Sequence, residues 1–145
     1  MGELPKALEY QEKALTLTKE VLGEKHPDLA TNYNNISMIY QDMKKLPKAL
    51  EYQEKALTLR KEVLDEKHPN LAGSYNNISM IYMDSKVCNK AKEYIEKAIT
   101  IWKDTGYYKK ELFYATKILK DINTNIKKEK KAKFKDKGRF CKDSK

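Results

Sequence analysis

Apolar and polar residues follow one another along most of this chain at the three-and-four spacing of an amphipathic helix. Over 4–22 the apolar positions are Leu4, Ala7, Leu8, Ala14, Leu15, Val21 and Leu22. Pro5 suits a first helical turn, where a missing N–H costs nothing. Gly23 can end this helix in a left-handed cap. A second segment opens at His26-Pro27-Asp28. Pro27 fits the first helical position, and Asp28 favours the positive end of the helix dipole. Ala30, Tyr33, Ile36, Ser37 and Tyr40 then make one face. The pattern predicts two antiparallel helices joined by a short turn.

The same pair is written twice. Shifted by 42 residues, Leu4–Lys45 falls on Leu46–Val87 with 34 of 42 positions identical. The eight differences are Thr18/Arg60, Gly23/Asp65, Asp28/Asn70, Thr31/Gly73, Asn32/Ser74, Gln41/Met83, Met43/Ser85 and Lys45/Val87. Asp65 is a poorer helix stop than Gly23, so the second copy's helix is expected to end differently. A partial third copy begins at Lys90, and its echo fades after Trp102. Gly106 breaks the chain. Leu112, Ala115, Ile118, Leu119, Ile122 and Ile126 then predict a further amphipathic helix that caps the last repeat. One helix pair cannot bury its own apolar face, so stability must come from stacking. The expected fold is all-α, an α-α superhelix of about six antiparallel helices. The array spans 1–126, in units of about 4–45, 46–87 and 88–126.

Composition narrows the function classes. The formal net charge of +9 is confined to one end: residues 1–102 hold 15 basic and 15 acidic side chains, and 103–145 hold 15 and 6. Ten of residues 127–145 are basic and three acidic. That composition predicts a disordered tail carrying Lys127, Lys128, Lys130, Lys131, Lys133, Lys135, Lys137 and Arg139. Such a tail could meet nucleic acid or another acidic surface. No apolar run approaches a membrane span. Two cysteines cannot make a disulfide framework or a four-ligand zinc site. The default setting is soluble, reducing and cytoplasmic, with the nucleus an alternative because of the tail.

The spacing of Ala30, Tyr33, Ile36, Ser37, Tyr40, Ala49 and Ala56 resembles the tetratricopeptide repeat. The 42-residue unit, the stretch Val21–Ala30 and the phrases Tyr33-Asn34-Asn35-Ile36 and Lys48-Ala49-Leu50-Glu51-Tyr52 are similar to the kinesin light chain-type variant. The resemblance covers roughly residues 4–104. There are departures: Gln11 and Gln53 stand where the family often has an aromatic, and the third unit lacks the His-Pro start. No long heptad segment of the kind that ties a kinesin light chain to its motor is present, so a motor subunit is not expected. In the family's frame, helix 4–22 is the second helix of a unit whose first is missing. Self-association through its open face, a longer native chain and a tolerated ragged end all fit.

Candidate chemistry is sparse. His26 and His68 are copies of one helix-start position and form no ligand cluster. Cys88 replaces Leu46 of the preceding copy, which reads as packing; Cys141 reads as an incidental thiol in a basic segment. Glu9, Glu12 and Glu20 sit beside lysines as solvating pairs. No phosphate loop or nucleophile elbow appears. The reading is no enzyme, no cofactor and no metal. Asparagine is a poor helix interior residue, yet Asn34, Asn35, Asn76 and Asn77 stand there in pairs. The resemblance implies that their helices line a concave groove. Thr31, Asn34, Asn35, Met38, Gln41 and Asp42 would face inward, followed by Gly73, Asn76, Asn77, Met80, Met83 and Asp84. Asn offers a donor and an acceptor to a peptide backbone, and Met adapts to varied apolar side chains. The expected function is an adaptor that binds a peptide or helix of another protein. Nucleic-acid or polyanion binding through the tail is the alternative.

Overall fold

The computed structural model describes residues 2–106 and 108–133. It contains α1 (Glu3–Leu22), α2 (Pro27–Asp42), α3 (Leu46–Val63), α4 (Pro69–Asp84), α5 (Cys88–Thr105) and α6 (Lys109–Lys133). No strand forms among the described residues, so the all-α expectation holds. The chain divides into two compact units, residues 1–74 and 75–145, with the division inside α4.

In the first unit α2 packs against both α1 and α3. Leu29, Ala30 and Leu59 are buried together, with Leu15, Tyr33 and Val63 against them. The small residues of the pattern set the spacing: Ala49 and Ala56 are wholly buried, and the Ser37 hydroxyl donates to the Ala49 carbonyl at 2.6 Å. A short serine facing an alanine lets two backbones approach closely, and burying the hydroxyl costs little because it keeps a partner. In the second unit Ser79 donates to the Ala91 carbonyl in the same way, at 2.7 Å. There α6 packs against α5, and Ala115 and Ile122 are buried. Cys88 is buried too.

Helix ends follow local chemistry. His26 caps α2: its Nδ1 accepts the Asp28 N–H at 3.2 Å. His68 Nδ1 accepts the Asn70 N–H at 3.1 Å. This satisfies one of the orphan donors of a first helical turn. Gly23 has φ 86° and ψ 171°. That differs from the expected left-handed cap, although φ remains positive and suits glycine. The second copy, with Asp65 there, stops earlier: α3 ends at Val63, and Leu64 is extended with φ −121°. Gly106 takes the left-handed conformation at the end of α5.

One boundary needs correction. α6 runs through Lys133, so residues 127–133 are helical rather than disordered. Lys, Glu and Ala are strong helix formers, and Glu129 is buried on this helix. Cations in the last turn also favour the negative end of the helix dipole. Local propensity outweighs the like-charge repulsion that argued for fraying. Lys135, Lys137 and Arg139 lie outside the described residues.

Candidate functional site

Helical geometry divides α2 into three faces. Leu29, Asn32 and Ile36 lie on one side, and Ala30, Tyr33, Ser37 and Tyr40 on the next. The remaining arc, about 120° wide at 100° per residue, carries Thr31, Asn34, Asn35, Met38, Gln41 and Asp42. On it Thr31, Met38 and Asp42 are exposed, and Asn34, Asn35 and Gln41 are half-buried. Met38 is 53% exposed, and Asn34 Nδ2 donates to its Sδ at 3.6 Å. On α4 Asn76, Asn77 and Met83 are half-buried, and Met80 is 39% exposed. Each helix thus keeps its paired Asn side chains (Asn34 and Asn35, Asn76 and Asn77) and its Met side chains on one arc, beside the buried stripe. The arc can offer amide donors and acceptors beside a soft apolar surface. Gln41 becomes Met83 in the second copy, making that arc more apolar.

Sequence reasoning missed two other constellations. One is a stack of tyrosines. Tyr52 of α3 lies 5.5 Å from Tyr40 and 6.2 Å from Tyr33, both of α2. Tyr94 of α5 repeats this at 5.7 Å from Tyr82 and 6.1 Å from Tyr75. Lys55 sits 4.6 Å over the Tyr52 ring and Lys97 4.9 Å over Tyr94, held there by Glu51 at 2.6 Å and Glu93 at 2.8 Å. The hydrogen bond from Lys55, then its charge, holds the Glu51 carboxyl below its ordinary range. Lys97 does the same to Glu93. Burial pushes the Tyr52 phenol up. The recurrence of tyrosine at 33, 40 and 52 and again at 75, 82 and 94 was the available signal.

The other constellation is a polar junction between helices. In the first copy Gln11 Nε2 donates to Asn32 Oδ1 at 2.9 Å, and Asn32 Nδ2 donates to Thr18 Oγ1 at 2.8 Å. In the second copy Arg60 Nη1 donates to Ser74 Oγ at 2.6 Å and reaches the Asn70 carbonyl at 3.3 Å. Burial pushes the Arg60 guanidinium down. Gln53, the counterpart of Gln11, is wholly buried. Its Oε1 and Nε2 have no partner among the described residues.

The basic set is only partly placed. Lys127, Lys128, Lys130, Lys131 and Lys133 are exposed at the end of α6. Among the described residues no group of three His, Cys, Asp or Glu is placed to hold a metal ion. No helix there is long and apolar enough to cross a membrane.

Comparison with known proteins fits this geometry. A crystal structure of nearly identical TPR-like repeats, from a Podosopora anserina chain named as a kinesin light chain, is similar with a TM-score of 0.74 and 19% identity. It matches 83% of this chain and 58% of its own length. A point variant of the same protein gives a TM-score of 0.73 at 19% identity, over 83% and 57%. BtubC (BKLC) from P. vanneervenii gives 0.64 at 22% identity, over 87% and 59%. The chain therefore spans less than three-fifths of each of these structures, and at such identities the likeness shows the fold, a tetratricopeptide-type α-solenoid. No curated protein matches the sequence. The tetratricopeptide repeat model matches residues 1–62 and 28–104, most of the chain, and with the repeat and the helix order above this chain belongs to the tetratricopeptide repeat family.

Proposed function

We propose that this chain is a non-enzymatic adaptor that takes a peptide or helical segment of a partner protein against the Asn/Met arc of α2, the arc of α4 offering a like surface of its own. Tetratricopeptide folds serve protein–protein interaction in general, and that coarser function follows from the family. The finer reading rests on one observation: on each helix one arc carries paired, half-buried asparagines beside an exposed methionine. Asparagine amides can bond a peptide backbone without selecting its side chains. Methionine fits apolar side chains of varied shape. The mechanism is shape and hydrogen bonding on a preformed helix face. The test is an affinity capture from cell extract with wild-type chain and the Asn35→Ala/Asn77→Ala double variant. Loss of a common set of partners, about tenfold or more for hot-spot positions, is the expected result. Partners retained at wild-type strength would sink the assignment to these arcs.

A second reading draws on the five exposed lysines at the end of α6. Binding to a polyanion through them would weaken steeply with salt. Replacing Lys127, Lys128, Lys130 and Lys131 by Gln would abolish that binding while leaving the Asn-dependent partners in place. Unchanged retention on heparin would remove this reading.

A further inference from the structure

Three helices of this chain set a glutamate one turn before an exposed lysine, and the solvent face of α6 does not. In α1, α3 and α5, Lys13, Lys55 and Lys97 meet Glu9, Glu51 and Glu93 at 2.6, 2.6 and 2.8 Å. In α6 the residues four before Lys117, Lys120, Lys127 and Lys131 are Phe113, Thr116, Asn123 and Lys127. The apolar side of α6 is the one that packs: Ala115 and Ile122 are buried, and Ile118, Leu119 and Ile126 half-buried. On the opposite side seven exposed lysines between Lys109 and Lys131 fall within about 100° of arc. Phe113 and Thr124 lie among them, Tyr114 and Asp121 stand at the edge, and no acidic residue lies inside. The row is about 30 Å long at the helical rise. Lysines one turn apart repel one another and weaken their own helix, so the row gains by meeting a negative surface. At its start Phe113 and Tyr114 touch edge to face, 5.8 Å apart, and are 67% and 53% exposed.

We infer that this face of α6 docks on a membrane surface rich in anionic lipid, with Phe113 and Tyr114 dipping into the headgroup layer; this rests on the polyanion reading of the α6 lysines. Charge argues against the nearer occupants. Residues 134–145 carry five basic and two acidic side chains, and a second copy offers the same lysines. A packed helix over the row would bury ammonium groups, which stay in water unless paired. The row's composition separates lipid from nucleic acid. α6 holds no arginine, the residue that grips phosphates and base edges through two N–H groups at once. Single-strand platforms stack successive bases on aromatic rings along a cationic groove. Here both rings stand at one end, and only lysine and threonine follow on the arc. A straight row of point charges matches a plane of negative headgroups. Aromatic rings beside cations settle at the boundary of headgroups and acyl chains.

The test is co-sedimentation of the full chain with vesicles of phosphatidylcholine, pure or with about a third phosphatidylserine. Wild type should bind only the anionic vesicles, and added salt should release it. Lys110→Gln/Lys117→Gln/Lys120→Gln should weaken binding about a hundredfold, at roughly fivefold per lysine. Phe113→Gln/Tyr114→Gln should weaken it about tenfold and leave retention on heparin unchanged. All five positions are exposed, and circular dichroism checks that the helices persist. Wild type that ignores anionic vesicles but stays on heparin would overturn the membrane assignment and leave the polyanion reading standing; loss of both would remove that reading as well. An aromatic variant as tight as wild type on vesicles would overturn the lipid assignment in favour of charge alone. Tighter binding to an oligonucleotide or to polyglutamate than to vesicles would overturn it in favour of nucleic acid or an acidic protein.

Discussion

In the first repeat a glutamine, an asparagine and a threonine hand hydrogen bonds along from Gln11 to Asn32 to Thr18. In the second, an arginine spans the same gap to Ser74 and the Asn70 carbonyl, and Gln53 is stranded. Two of the eight differences between the copies, Thr18/Arg60 and Asn32/Ser74, therefore meet at one junction, where Arg60 also reaches the main-chain carbonyl of Asn70. The first copy is open to solvent there, with Gln11 only half-buried; the second is closed, with Gln53 and Ser74 wholly buried. Near-identical sequence thus conceals unequal energetics. A polar side chain that is harmless on an outer helix becomes a cost when neighbouring helices seal it, because a buried unpaired amide loses water without gaining a partner.

The third copy shows the remedy, since Ile95 occupies the equivalent position and is wholly buried. Gln53→Ile is expected to stabilise the chain by about 1–3 kcal/mol, the cost of an unsatisfied buried group. Gln11→Ile should have the opposite sign, because it removes the donor to Asn32; the loss should be about 0.5–1.5 kcal/mol. Urea unfolding of both variants measures this. Effects of the same sign would break the contrast between the junctions.

The next test moves one junction into the other. Arg60→Thr alone takes the guanidinium from Ser74, and Ser74→Asn alone forces a larger group beside the arginine. Each should cost about 1–3 kcal/mol. Together they rebuild the first copy's bonding, and the new asparagine can also receive Gln53. A double-mutant cycle should show a favourable coupling of about 1 kcal/mol or more. Additive costs would mean that the paired differences are unrelated.

Much of the fold was legible. Helix order, the His-Pro starts, the break at Gly106 and the capping helix all depend on period and local backbone preference, which a sequence displays directly. That Asn34, Met38 and Gln41 share one arc of α2 was legible, because they fall three and four apart beside a stripe marked by Tyr33, Ser37 and Tyr40; their assignment to binding came from the resemblance alone. The junction was not. Arg60 and Ser74 look like ordinary surface drift until the two helices bring positions 14 apart into contact. The length of α6 was misread because net charge was weighed above the helix propensity of Lys, Glu and Ala. The turns after α2 and α4 were also hidden: Lys44 and Lys86 have φ 59° and 58°, where glycine would be expected.

Those two turns offer the next test, at sites where the copies agree. After each helix a Schellman-type bond closes the turn, Lys45 N–H to the Tyr40 carbonyl at 2.8 Å and Val87 N–H to Tyr82 at 2.9 Å. Holding a lysine in the left-handed region costs roughly 1 kcal/mol. Lys44→Gly and Lys86→Gly should each stabilise by about that amount, less some added freedom of the unfolded chain. Thermal melts should show equal rises. A rise at one site alone would mean that the repeats differ at their turns as well as at their junctions.

The smallest effect concerns the pairs Glu9–Lys13 and Glu51–Lys55. Both are 2.6 Å long and one helical turn apart. The settings differ: Lys55 lies 4.6 Å over half-buried Tyr52, whereas Lys13 lies 5.7 Å over exposed Tyr10. Glu51 is held below its ordinary range by the Lys55 hydrogen bond and then by its charge. Lys55 is held above its own range, first by the hydrogen bond it donates to Glu51. A carboxyl lowered on folding contributes stability that is complete above its unfolded value, about 4.3, and is lost as pH falls through the folded value. The raised lysine contributes fully below its unfolded value, about 10.4, and loses that contribution as pH rises through the folded one. Glu51→Gln should therefore lower the melting temperature slightly near neutrality, and the difference should close as acid protonates the carboxyl. Glu9→Gln should do less, because its lysine lies farther from a ring that solvent already surrounds, and exposed pairs contribute little. A difference at Glu51 that persists unchanged in acid would show that the substitution acts through helix propensity, and the sealed repeat would then draw nothing from its ion pair that the open one lacks.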